Sequence, residues 1–436
     1  MMSLLRWLPG VDDEADSPRP RVEDDAHRRL HVDDSFTPSG LGTRPPVPVT
    51  YALRGCASYL REAGAALKGL AAGHRVAALD RVGRSWLDPQ DPHRREALER
   101  LPGELRSTPE VVAWGLDATF QAWTREALAD WAAGATSTAH ATLTGHVWAG
   151  NVFTAGLPPV VASLLCGVPA LIKAPSRYPT FAALFARSVA DHAPELGPCV
   201  GAAGWSRVDR AATHALLTAD EVFAFGDDES VAALRADGGS RVHGFGRRYS
   251  VALASATASS AALTRLTDDL LAYDGQGCLT PRWVFVEGGL DAAVHLARRG
   301  AEALKAAATR LPGAPLGVAE GAARQAFLGS AAFAGWSGGG PGWAAAATAH
   351  DPSLRTPPRC LHVVAVPRRA DVPGLLSPLG RRLQGVALVD VDAPADLLNA
   401  LRALGMSRVA PAGELQRPPV AWIHDDVDPL TILAGR

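Results

Sequence analysis

Lysine is scarce in this chain of 436 residues: of 43 basic side chains only Lys68, Lys173 and Lys305 are lysines, and the rest are arginines. The 43 basic groups nearly cancel 45 acidic ones, leaving a formal net charge of -2. With no overall basic field to attract a phosphate backbone, a nucleic-acid partner is not expected. Cysteine is sparse as well. The five (Cys56, Cys166, Cys199, Cys278, Cys360) are odd in number, widely spaced and form no CxxC pair. That excludes a disulfide framework and a zinc site of the usual spacing. No GxxxxGK[ST] occurs, and no GxGxxG lies between the first strand and its helix, so a nucleotide would not be held by the common glycine fingerprints. The uncharged stretch from His146 to Ile172 is broken by Pro158, Pro159, Gly167 and Pro169, which reads as a buried strand–helix–strand and not a membrane span. The start, MMSLLRWLPG, has too short an apolar run for a signal peptide, and the expectation is a cytoplasmic protein.

What is present is an ordinary globular composition, with 47% hydrophobic and 20% charged residues. The length supports about three domains, or two large ones, rather than a small stapled module. Residues 1–36 form an acidic N-terminal arm with little periodicity. Ser107-Thr108-Pro109-Glu110 starts a helix, and Val112, Leu116, Phe120, Trp123, Leu128 and Trp131 follow at helical spacing as core positions. From Leu143 short apolar runs alternate with helical segments, the pattern of a parallel sheet with crossover helices. Strands are expected near His146–Ala149, Ala170–Lys173, Cys199–Ala203, Val222–Phe225 and Val251–Leu253. A second block has a helix near 259–273, a strand Trp283–Glu287 and a helix near 291–309. Residues 311–358, rich in Gly, Ala and Pro around Ser337–Gly342, read as a loop or lid. Strands Leu361–Val366 and Val386–Val389, a helix over 394–404 and a final strand from Arg408 complete the pattern.

Four cysteines sit where small buried hydrophobes belong; Cys278 follows Gly275-Gln276-Gly277, where a flexible backbone allows a planar group to approach. A nucleophile needs access and a backbone amide aimed at the developing oxyanion, so Cys278 is either that nucleophile or a plain loop cysteine. Asn151 follows Gly150 at a strand end, as an oxyanion donor or a turn former. Lys173 ends the next strand in Lys173-Ala174-Pro175-Ser176, as a nucleotide contact or a surface lysine. Gly226, in Phe225-Gly226-Asp227-Asp228-Glu229, would let a ligand approach a helix start, while the acids there could simply cap the helix.

These pieces occur in the order and rough spacing of the aldehyde dehydrogenase superfamily, and within it the chain resembles the LuxC-type acyl-CoA reductases. The most specific segments are His146-Val147-Trp148-Ala149-Gly150-Asn151-Val152, Gly277-Cys278-Leu279-Thr280-Pro281, and Met406–Gly413 leading to Pro418–Trp422. The resemblance implies an α/β, aldehyde dehydrogenase-like fold: N-terminal helices and a parallel-sheet NADP-binding domain over 37–255, an α/β catalytic domain over 256–405, and a C-terminal association segment over 406–436.

Carried over residue by residue, the resemblance makes Cys278 the nucleophile and puts Asn151 in the oxyanion hole. Lys173 and Ser176 would lie by the adenosine ribose and Gly226 by the pyrophosphate. Many NAD-preferring relatives carry a glutamate at the position of Ser176; a neutral Ser176 followed by Arg177 favours NADPH over NADH. Oxidising relatives carry a glutamate before a Gly-Gly pair to activate water, whereas this chain has His243-Gly244-Phe245-Gly246, with His243 as a possible proton relay. The implied activity is reduction of an acyl thioester, from CoA or an acyl carrier protein, to an aldehyde by a homo-oligomeric long-chain acyl-CoA reductase without a metal. The alternatives are an aldehyde dehydrogenase working oxidatively, with or without CoA acylation, and a non-catalytic binding subunit retaining the fold.

Overall fold

The computed structural model describes residues 49–134, 139–349 and 355–435; the acidic arm over 1–36 lies outside them. The described chain forms two compact units. The first draws on residues through Leu101, Trp123–Gly246 and the segment from Val427; the second on Pro102–Ala122 and Arg247–Asp426. The strands, in chain order, are β1 Thr144–Val147, β2 Ala170–Ala174, β3 Val200–Gly204, β4 Glu221–Phe225, β5 Val242–Phe245, β6 Tyr249–Ala254, β7 Pro281–Glu287, β8 Gly335–Gly340, β9 Trp343–Ala349, β10 Cys360–Val366, β11 Leu383–Val389 and β12 Arg408–Pro411.

The first unit holds a five-stranded sheet in the order β3-β2-β1-β4-β5, every pair parallel. Helices Leu157–Leu165, Thr180–His192, Arg210–Leu216 and Asp228–Gly238 connect successive strands. The uncharged run from His146 to Ile172 is thus a buried strand–helix–strand, and among the described residues no helix is long and apolar enough to cross a membrane. Helix Val49–Gly69 packs Leu53, Cys56, Ala57 and Leu60 against Leu171, Leu216 and Val222, so part of the first hundred residues belongs to this core. Strand β5, which carries His243, was not expected from sequence: Val242–Phe245 is short and its glycine at 244 hides the alternation.

The second unit holds a seven-stranded sheet, β12-β11-β6-β7-β10-β9-β8, parallel except for β8 against β9. Val251, Phe285, Val364, Val386, Leu397 and Leu401 join strands and helices in one core. The helix expected at 107–110 starts one residue later than the capping pattern suggests. Thr108 is the cap, accepting from the Val111 amide, and Ser107 turns away to Asp274. The apolar stripe is divided between helices Pro109–Phe120 and Arg125–Ala133, with Trp123 in the turn that joins them, and all six of its residues are buried.

The Gly/Ala/Pro-rich stretch is a correction. Where a loop was expected, the chain forms helix Val318–Ala334 and the hairpin β8–β9. Small residues are there for close packing: a Cβ on Gly335 would lie 2.3 Å from the Ala347 carbonyl oxygen, and Phe327 and Ala331 pack onto Ala344, Ala346 and Cys360. A glycine run was mistaken for freedom when it marks proximity.

Candidate functional site

In the first unit the strand order reverses between β1 and β4, with β2 and β3 to one side and β5 to the other. At such a reversal the connections diverge and leave a crevice at the carboxyl ends of the strands. Asn151 follows β1, Ser176 and Arg177 follow β2, and Gly226 follows β4, while Lys173 is the penultimate residue of β2. All five sequence-selected residues therefore share one edge of this sheet.

Local contacts shape that edge. Gly150 has no space for a side chain, since a Cβ would fall 2.1 Å from the Tyr178 ring, which ties the turn after β1 to the turn after β2. Lys173 Nζ lies 5.9 Å from the centre of the Trp205 ring, and burial lowers its ammonium to about 8. Ser176 Oγ donates to the Trp205 carbonyl at 3.0 Å. Trp205 thus braces both candidate ribose contacts, and sequence reasoning passed it over although it stands directly after β3. A Cβ at Gly226 would meet only Ser230 Cβ, at 3.4 Å, so the backbone there can be approached closely. Of the two readings of the adjacent acids, the capping one is realised by Asp227, whose carboxylate accepts from the Ser230 amide at 2.7 Å.

His243 is not part of that edge. It pairs in register with Phe223, and its Nε2 lies 2.7 Å from Glu221 Oε2 at the start of β4, the opposite end from Gly226. The other Glu221 oxygen is 3.1 Å from His140 Nε2. The imidazole is engaged toward the amino ends of the strands.

In the second unit the loop carrying Cys278 is held from several sides. Helix Ser260–Leu271 and its cap Ala272 are followed by three residues with positive φ: Tyr273 at 49°, Asp274 at 55° and Gly275 at 67°. Left-handed backbone costs a non-glycine residue on the order of 1 kcal/mol. Buried partners offset that cost. Asp274 accepts from Arg359 Nη1 at 3.0 Å and from Ser107 Oγ, while the Tyr273 hydroxyl donates to the Gly115 carbonyl at 3.3 Å and its ring meets Trp114 edge-on. Glycine is required at 275, where a Cβ would sit 2.5 Å from the Arg359 amide nitrogen.

Further on, Ser250 Oγ donates to the Cys278 carbonyl at 2.8 Å. Gln416 Nε2 donates to Thr280 Oγ1 at 2.8 Å, and its amide group occupies the space a Gly277 side chain would need. Gln416 is itself anchored, because the amides of Gly413 and Gln416 donate to the buried Asp269 carboxylate at 2.7 and 3.1 Å. Gly413, the last residue of the segment Met406–Gly413 picked out by sequence, thus shares with Gln416 the Asp269 anchor behind the cysteine loop.

Two bulges frame this arrangement. Between Ser250↔Pro281 and Val251↔Trp283, β7 has Arg282 as an extra residue; between Leu383↔Tyr249 and Gly385↔Ser250, β11 has Gln384. Both lie beside Ser250, and bulges of this kind re-aim side chains. Gln384 Nε2 donates to Asp425 Oδ1 at 3.2 Å, and Arg248 Nε lies 2.9 Å from Asp425 Oδ2. Sequence reasoning missed Arg248, Asp425 and Gln416; only Ser250, Arg282 and Gln384 had a detectable signal, as polar residues inside apolar strands.

Of the five cysteines, Cys56, Cys166, Cys199 and Cys360 are buried and Cys278 is partly exposed. Desolvation of its sulfur pushes the Cys278 thiol up to about 12, and the Asp425 carboxylate adds to that; the backbone amides of Cys278 and Leu279 and the Arg282 guanidinium act the other way. Amides turned toward the sulfur are placed to meet negative charge developing near it. Among the described residues there is no cluster of three or more His, Cys, Asp or Glu able to hold a metal.

A family profile described as "Acyl-CoA reductase (LuxC)" matches residues 75–436. The chain belongs to the LuxC acyl-CoA reductase family. That membership places it among oxidoreductases acting on aldehyde or acyl groups. A search of curated proteins finds no match. Solved structures share the LuxC-family chain's fold at low identity. An aldehyde dehydrogenase PutA from Anabaena variabilis is 16% identical with a TM-score of 0.61, covering 86% of this chain and 87% of its own. Lactaldehyde dehydrogenase from Escherichia coli is 15% identical with a TM-score of 0.59, covering 84% and 83%. A mutant of aldehyde dehydrogenase C from Pseudomonas syringae, complexed with NAD+ and octanal, is 14% identical with a TM-score of 0.63, covering 83% and 81%. The fold is that of the aldehyde dehydrogenases.

Proposed function

We propose that this LuxC-family chain reduces an acyl thioester to an aldehyde with NADPH, through an acyl group carried on Cys278. The observation that carries the reading is the cysteine loop. Of the five cysteines Cys278 alone is not classed as buried, the carbonyl behind it is pinned by Ser250, and amides at 278 and 279 face the sulfur. The thiolate attacks the thioester carbonyl, the Cys278 amide supports the tetrahedral oxyanion, and the carrier thiol leaves. Asn151 is proposed as a second donor to that oxyanion on the strength of the family resemblance.

The carboxyl edge of the five-stranded sheet suits the adenosine end of a dinucleotide. Lys173 is a half-buried ammonium with no carboxylate in ion-pair distance among the described residues, beside the flat face of Trp205. Lys173 and Ser176 would hold the ribose, Arg177 would accept a 2′-phosphate, and Gly226 would admit the pyrophosphate. When bound, the cofactor supplies hydride to the acyl carbon. The thiohemiacetal left on Cys278 then collapses, returning the thiol and releasing the aldehyde.

The reductive direction is favoured over the oxidative one because water activation needs an available carboxylate. Asp425, the acid that bears on Cys278, is occupied by Arg248 and Gln384. The test is mass spectrometry of Cys278 after incubation with a panel of acyl-CoA thioesters, alongside absorbance at the nicotinamide band with NADPH or NADH. Acylation of Cys278 and faster turnover with NADPH are expected, and Cys278→Ser should lose both. Aldehyde production by Cys278→Ser would refute the mechanism, and faster turnover with NADH would refute the cofactor preference.

A further inference from the structure

Three arginines stand around the cysteine loop, and two have carboxylate partners. Arg359 Nη1 lies 3.0 Å from Asp274 Oδ1, and Arg248 Nε lies 2.9 Å from Asp425 Oδ2. The third, Arg282, is partly buried and has no carboxylate in ion-pair distance among the described residues. Its one hydrogen bond runs from Nη1 to the Gly275 carbonyl at 3.1 Å, at the other end of the Gly275–Cys278 turn. Arg282 is the extra residue of the bulge at the start of β7, and its guanidinium turns back to the Gly275 carbonyl. A desolvated cation without an anion is costly, and proteins keep such groups where an anion comes to meet them.

We infer that Arg282 is the counter-ion of the Cys278 thiolate: its guanidinium, held on the Gly275 carbonyl at the head of the cysteine loop, has no carboxylate in ion-pair distance among the described residues. The catalytic consequence rests on the reading of Cys278 as the acylated nucleophile; the charge relation itself does not. With Arg248 paired to Asp425 and Arg359 to Asp274, ionising Cys278 gives Arg282 an anion of its own, whereas the neutral thiol leaves it without one.

The groups facing the pair fit this assignment. Cys278 feels Arg282 and, in the opposite sense, Asp425. Asp425 is faced by Arg248, Gln384 and His424. Arg282 in turn faces Cys278, Tyr249 and Cys360, with Arg355 as the one like charge. The role is electrostatic positioning of the reactive form of the sulfur. A side chain that merely held the loop would not set the pH at which the thiol reacts.

The test reads the thiol directly, without substrate. Alkylation of Cys278 by iodoacetamide is followed by mass spectrometry as a function of pH in the intact chain, for the native protein, Arg282→Gln, Arg282→Lys and Asp425→Asn. Below its inflection a thiol reacts about tenfold more slowly for each pH unit its ionisation is raised. Arg282→Gln is expected to slow alkylation at least about tenfold at pH 8 and to move the inflection upward, and Arg282→Lys to recover most of the rate. Asp425→Asn, which removes the opposing acid and frees Arg248, is expected to speed alkylation. This second arm stands even if Arg282→Gln fails to fold. A native inflection in Arg282→Gln, equal losses for Lys and Gln with the inflection unmoved, or no acceleration in Asp425→Asn would each overturn the inference. The expected alkylation shifts together with no acyl adduct from any thioester would instead refute the proposed function and leave the counter-ion assignment standing.

Discussion

Replacing Arg359 by methionine tests the support of the cysteine loop at its most buried point. The guanidinium is 3% exposed and the Asp274 carboxylate 12%, and the fork also donates from Nε to the Gly342 carbonyl at 2.8 Å and from Nη2 to the Leu311 carbonyl. Methionine keeps most of the aliphatic packing and removes every donor. Breaking one partner from a buried ion pair costs about 3–5 kcal/mol. Each buried carbonyl left without its donor adds about 1–3 kcal/mol where water cannot replace it, and these losses overlap. A destabilisation of about 4 kcal/mol or more at pH 7 is expected, read as a lower guanidinium chloride midpoint by tryptophan fluorescence.

The sign of its pH dependence follows from the same contact. Burial already raises the Asp274 carboxyl, and only its bonds to Ser107 and Arg359 hold it down. Without Arg359 it takes up a proton more readily, so the penalty shrinks as pH falls. Adding Asp274→Asn removes the orphaned charge and should recover part of the loss. Stability of Arg359→Met within about 1 kcal/mol of native, or strictly additive losses in the double variant, would refute the argument.

Gly275→Ala places a methyl 2.5 Å from a backbone nitrogen at φ 67°, so we expect a loss of more than about 2 kcal/mol and a collapse of Cys278 alkylation; a native melting curve would contradict the required conformation. Asp269 is raised by burial from 3.8 to about 7 despite the amides that donate to it. Its contribution is therefore complete below about pH 4 and lost as pH rises toward 7, about 1.4 kcal/mol for each pH unit, and a thermal-melt series that is flat across that window would refute this. Lys173, charged below about pH 8, should hold the proposed cofactor less tightly as pH passes that value, with the slope absent in Lys173→Met; titration calorimetry giving the same slope for both would remove Lys173 from the contact.

The α/β alternation was legible because it rests on local signals. The apolar runs around Val147, Ile172 and Phe223 are short, and the breakers at Pro169 and Gly226 are sharp. The candidate site positions stood out for a related reason: Asn151, Ser176 and Gly226 fall just past strand ends, where a parallel sheet exposes its crevice, and Cys278 follows two glycines. What escaped notice is non-local. Gln416 braces Gly277 from far along the chain, Arg359 completes a turn made by Tyr273 and Asp274, and Asp425 reaches the cysteine through β11. Nothing in their immediate sequence distinguishes them from surface polar residues. The hairpin Gly335–Ala349 failed for the opposite reason, since glycine and alanine signal either freedom or contact and only the partner strand decides which.

The chain path carries a consequence for biosynthesis. The five-stranded unit takes one of its pieces from the segment beginning at Val427, whose helix Pro429–Leu433 offers the Leu433 carbonyl to the His140 amide at 3.2 Å and to its imidazole at 3.1 Å. As synthesis proceeds, that unit lacks its final piece until Arg247–Asp426 of the second unit has been made. Its last helix therefore acts as a late latch, and a fusion or truncation near Val427 would disturb a domain whose sheet was completed some 180 residues earlier in the sequence, at Phe245.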